Sequence, residues 1–195
     1  ALDAYLQAAW AQDARSRAMT RAAMVELRLS RWHDALAHAE EALRQHAHSE
    51  TAMLARIVAL RHLGSPQAET ALAAAEAFDC LNVTLRALKY GAAPALYATL
   101  QSDPCQSALD MAQDLTDLGE TALAAEILGG LPQPCAMTAY VRGFLTGDTA
   151  VWMQAGKLPI GIAYPLRPLE YQALTAAIAA NPQDAAALNL LGCLM

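Results

Sequence analysis

The chain has 195 residues, of which 55% are hydrophobic and 16% charged. That balance excludes a disordered chain and a mostly water-exposed coiled coil, and suffices for one ordinary core or a short stack of repeats. Net charge is −6, with 13 basic residues against 19 acidic, so the chain lacks the basic surplus of a nucleic-acid binder. Roughly a quarter of the residues are alanine while Phe and Trp total five. Packed elements must therefore approach closely through small side chains, and alanine is the best helix former.

Apolar residues recur at i, i+3, i+4 and i+7 throughout, broken at Gly, Pro or Asx, and no segment alternates as a strand would. The amino end, Ala1 to Leu6, has neither a basic stretch nor an apolar run of signal-peptide type, and no uncharged apolar run reaches the length of a membrane span. Tyr5 and Trp10 lie on a first helix, where an aromatic pair reads as a cap over the last core layer. Two turns, Leu29 to Leu36 and Leu63 to Glu69, stand 34 residues apart and define helical hairpins over 15–46 and 49–78. Turn glycines recur at Gly91, Gly119 and Gly147, which places shortened hairpins at 81–102, 104–130 and 134–156. Residues 157–168, with Pro159, Gly161, Pro165 and Pro168, form an irregular linker. A helix over 169–181 ends at Asn181-Pro182, and a further helix starts within 184–195. The chain has no initiator Met and stops inside a helical pattern, so the expectation is a piece of a longer protein with an incomplete last repeat.

The hairpins resemble the tetratricopeptide repeat. Asn181-Pro182-Gln183-Asp184 stands where that family has Asp-Pro-Asn-Asn, and Ala187-Leu188-Asn189-Leu190-Leu191-Gly192 fits the start of the next unit. In the first hairpin Met19, Ala22, Ala23, Ala35, Ala39 and Ala42 fall on the family's packing positions. The resemblance implies an all-α, right-handed superhelical solenoid of antiparallel helix pairs in one domain over 1–195, interrupted by the linker. A narrower resemblance runs from Gly161-Ile162-Ala163-Tyr164-Pro165-Leu166-Arg167-Pro168-Leu169-Glu170 to Asn181-Pro182. It is similar to the repeat region of a bacterial family of unknown function that carries a mutarotase-like β-sandwich domain elsewhere.

Residues that carry chemistry are sparse. The five histidines, His33, His38, His46, His48 and His62, cluster in the first third, and a zinc site on His46, His48 and His62 is weighed against exposed helix-end residues, with the latter preferred. Cys80, Cys105, Cys135 and Cys193 have no metal-ligand spacing and read as buried small hydrophobes in a reducing, cytoplasmic setting. No nucleophile elbow or phosphate loop is present. Glu40-Glu41 and the run Asp110, Asp114, Asp117 read as solvated helix faces. Trp152 and Tyr164 flank the linker as a second aromatic pair. No enzyme activity and no cofactor or metal is expected.

In repeat phase the first helices of two units place Arg17, Thr20, Met24 and Arg28, then Thr51, Leu54, Val58, Arg61 and His62, along a concave groove with a basic rim and an apolar floor. Such a surface suits an acidic or carboxy-terminal peptide. The chaperone-type carboxylate clamp needs Lys and Asn where this chain has Thr20 and Met24. The expected function is a protein-protein interaction scaffold, binding no nucleic acid and no membrane, with self-association through 184–195. The alternative is a non-catalytic repeat segment of a larger carbohydrate-active or carbohydrate-sensing protein.

Overall fold

The computed structural model describes the chain except Asp13, Gln101, Ser102, Ile162 to Tyr164, Leu194 and Met195. Among the described residues every regular element is a helix, as an alanine-rich chain with 3.6-residue apolar periodicity dictates. None of these helices is long and apolar enough to cross a membrane. The chain divides into two compact units, one of residues 1–85 with 117–119 and one of 86–116 with 120–195.

The first unit holds α1 (Leu2–Ala8), α2 (Arg15–Arg28), α3 (Trp32–Gln45), α4 (Glu50–His62) and α5 (Gln67–Phe78). Helix α2 packs on α1, α3 and α4, and α4 packs in turn on α3 and α5. Close approach is possible because the contact lines are alanine: Ala22, Ala23, Ala35, Ala39, Ala42, Ala52, Ala55 and Ala59 are all fully buried. Larger side chains, Leu27, Ile57 and Leu60, fill the remaining space.

The α2–α3 and α4–α5 turns share one mechanism. Ser30 donates its N–H to Leu27 O and Arg31 to Glu26 O, at 3.0 and 2.9 Å; Gly64 donates to Arg61 O and Ser65 to Leu60 O, each at 2.9 Å. This is the double bond of a Schellman cap, which requires a left-handed residue at its centre. Ser30 has φ +57° and Gly64 has φ +63°, 34 residues later. The 6→1 bond recurs from Glu120 to Leu115 O around Gly119 and from Asp148 to Gly143 O around Gly147. Gly119 has φ +86°, and a Cβ there would lie 3.2 Å from Leu27 O. Two independent reasons thus fix glycine at that position.

The second unit takes in α7 (Pro94–Tyr97), α8 (Pro104–Asp117), α9 (Thr121–Gly129), α10 (Ala136–Thr146), α11 (Thr149–Ala155), α12 (Pro168–Ala180) and α13 (Ala185–Gly192), following α6 (Val83–Tyr90). Helix α10 is its hub, packed on α9, α11 and α12. Tyr140 of α10 is fully buried and its hydroxyl donates to Asp184 Oδ2 at 2.8 Å. Asp184 Oδ1 accepts the N–H groups of Ala186 and Ala187, each at 3.1 Å, and so caps α13. Trp152 Nε1 donates to Tyr140 O at 3.0 Å across the bare Cα of Gly143. Helix α12 is anchored at its start, where Arg167 pairs with Asp110 at 2.8 Å and Leu169 N–H donates to Gln113 Oε1 at 3.0 Å.

Several expectations need correction. The second arm of the hairpin at 81–102 shrinks to the single turn Pro94–Tyr97, because Ala93 is extended ahead of a proline at the first helical position. Helix α1 ends at Ala8, so Trp10 lies past it and is 91% exposed rather than capping a core layer. Only Cys135 of the four cysteines is buried; Cys80 and Cys193 are exposed because both follow the ends of helices. Tyr164 of the second aromatic pair, and Ile162 and Ala163 beside it, lie outside the described residues, as do Leu194 and Met195 at the chain end.

Candidate functional site

The sequence places a groove floor on Thr20, Met24, Leu54 and Val58, and all four are buried, at 7%, 6%, 5% and 1% exposure. Thr20 spends its hydroxyl on Ser16 O at 2.9 Å. Their burial follows from the packing: α2 and α4 each contact three other helices, which leaves each only a narrow solvent sector. The apolar floor is therefore core and not a contact surface. Thr51 is half-buried. His62 is exposed but its ring stacks on Trp32 with centroids 3.9 Å apart, and Arg61 pairs with Glu69 at 3.4 Å.

Of the residues expected on the rim, Arg17 and Arg28 lie on the surface of α2. Arg17, Arg21 and Arg28 are exposed, and at 100° per residue they fall within about 40° of one another on α2. They fill the one sector of that helix not taken up by packing, over a length of about 16 Å. Among the described residues Arg17 and Arg28 make no side-chain hydrogen bond or ion pair, and Arg21 reaches only the sulfur of Met24, at 3.7 Å.

The other basic residues of this unit are paired. Arg15 meets Glu41 at 2.9 Å, Arg31 meets Asp34 at 2.7 Å, Arg56 meets Glu40 at 3.6 Å, and Arg44 also bonds Glu41. The Arg44 hydrogen bond holds the Glu41 carboxyl below its ordinary range. Residues 1–65 carry nearly balanced charge, and Glu26, Asp34, Glu40 and Glu41 are each engaged with a basic residue outside the α2 stripe. Arg21 was not among the expected residues, although its i+4 spacing from Arg17 was the signal that would have found it.

On the opposite side of α2 lies Glu26, 1% exposed. Its carboxylate takes His38 Nδ1 at 2.6 Å and faces Arg31 Nη2 at 3.7 Å. This pairing ties α2 to α3 from beneath, and so holds the stripe on a fixed helix. His38 is thereby a structural partner of a buried acid. His46 and His48 sit in the α3–α4 turn, exposed, and His48 stacks on Phe78 with centroids 4.9 Å apart. His33 is exposed.

In the second unit Asp110, read as solvated, is instead the anchor for Arg167. The Cys105 thiol is pushed up to about 12 by burial first and then by the neighbouring Cys135. A thiol so shifted is protonated at neutral pH and a poor nucleophile. Comparison with protein-family models, curated proteins and solved structures finds no match to this chain.

Proposed function

We propose that the chain is an interaction module of helical-hairpin repeats that holds an acidic segment of a partner protein along α2. The observation that carries this is the row Arg17, Arg21 and Arg28, exposed, aligned and unpaired among the described residues beside arginines that are paired. Guanidinium groups keep five donors in a fixed fork and bind carboxylates two at a time, so three in a row suit an extended run of Asp or Glu. The repeat reading is supported by the Schellman turns at Ser30 and Gly64, 34 residues apart, and by α2 lying against both its own hairpin partner and α4. Stacked pairs of this kind form a solenoid in the tetratricopeptide manner.

The test is affinity capture with the full chain and with the triple variant Arg17→Glu, Arg21→Glu, Arg28→Glu. Proteins retained by the first and lost by the second are expected to carry acidic stretches. Equal recovery by both baits would remove the stripe from the function.

A further inference from the structure

We infer that the second unit carries a separate binding pocket for a small amphipathic monocarboxylate, with Arg142 as the carboxylate receptor. The pocket has a volume of 360 Å³, within the range of small-molecule sites. Its walls are Leu128, Ala139, Val151 and Leu158, with Arg142 and Gln154 as the polar lining side chains and no carboxylate among the described residues.

Arg142 stands on α10, exposed, and among the described residues its guanidinium makes no hydrogen bond and no ion pair. It lies over Gly129, where a Cβ would come within 3.0 Å of Nε and 3.1 Å of Cζ. The bare Cα at the end of α9 is what leaves room for the guanidinium at the pocket edge. That helix end favours a cation but takes none of its donors. A second cation, Lys157, stands outside the lining and donates its Nζ to the lining residue Gln154 at Oε1, at 3.2 Å. An apolar cavity with one cation in its lining and a second held on a lining residue complements one negative charge on an apolar body. The volume suits a free acid of medium chain length, which would bury its chain against Leu128, Val151 and Leu158 and place both oxygens on Arg142.

The experiment is an NMR titration of the full chain with octanoate, with octanol of the same chain length, and with an acetylated tripeptide ending in a free Leu carboxylate. Octanoate is expected to give saturable shifts at the amides of Leu128, Val151 and Leu158, and to bind at least about tenfold more tightly than octanol. Arg142→Gln should weaken octanoate by a similar factor and leave octanol unchanged, and Arg142→Lys should keep part of the preference. Ala150→Phe, at an exposed lining position, should block both ligands with the fold intact, as read from the unchanged remainder of the spectrum. Equal binding of octanoate and octanol, no saturable shift, or indifference to Arg142→Gln would overturn the inference. Tighter binding of the tripeptide than of octanoate would overturn the free acid as occupant.

Discussion

His38→Ala tests how the stripe helix is held. The substitution removes the 2.6 Å bond to a carboxylate that is 1% exposed, and leaves Arg31 at 3.7 Å, beyond hydrogen-bond range. A hydrogen bond to a charged group contributes about 1.5–3 kcal/mol, and stranding a buried charge costs about 3–5 kcal/mol. The His38 side chain is itself 25% exposed, so water enters the space it vacates and takes up part of the deficit. The expected loss is then about 2–3 kcal/mol, which raises exchange of the α2 and α3 amides by roughly 30- to 150-fold. Adding Glu26→Met to His38→Ala removes the orphaned charge and should restore most of the loss, because an apolar side chain of similar volume replaces it. Native-state hydrogen exchange of the wild type, both single variants and the double variant reads the coupling directly. Exchange unchanged in His38→Ala, or a double variant worse than the sum of the singles, would refute the reasoning.

Ser30 occupies with φ +57° the turn position that Gly64 fills in the next hairpin. Ser30→Gly relieves a left-handed strain of about 1–2 kcal/mol against an entropic cost of about 0.5–1 kcal/mol, and should raise stability by about 0.5–1 kcal/mol in urea unfolding. Gly143→Ala puts a Cβ 2.5 Å from Trp152 Cδ1 and should cost about 1–3 kcal/mol, with a change in Trp152 fluorescence that an unperturbed ring would not show. Burial, and then Asp184, raise the Tyr140 phenol above its ordinary value. A folded value above the unfolded one gives a contribution that is full below about pH 10 and is lost as pH rises further. Urea titrations between pH 9 and 11 should show that alkaline loss in the wild type and a flatter profile in Tyr140→Phe.

The helices were legible because their signals are local: alanine-rich 3.6-residue periodicity, glycines at the turn centres, Asn181-Pro182 as a stop and Asp184 as a cap. Ser30 falls within the turn read from the sequence, but its left-handed conformation was not legible because nothing in a serine announces it, whereas Gly64 does. The groove floor was misplaced for a different reason. Periodicity tells which residues share a face but not how many neighbours a helix has, and the face carrying Thr20, Met24, Leu54 and Val58 is consumed by packing. Arg17 and Arg28 remain outside because a guanidinium at the edge of that face stays in water. The Glu26 and His38 pair is 12 residues apart across a turn, and Arg142 meets Gly129 across another, so neither was visible to spacing rules.

The most direct measurement of the central claim is the affinity of a fluorescently labelled twelve-residue Asp/Glu peptide for the full chain, at low and at physiological salt. Three exposed arginine contacts at about 0.2–1 kcal/mol each give a salt-screened interaction, and reversing all three charges should weaken binding by at least about tenfold. Binding that falls with salt and is lost in the Arg17→Glu, Arg21→Glu, Arg28→Glu variant is the expected result. Binding that is absent in the wild type, or that is equal in both proteins, would contradict it.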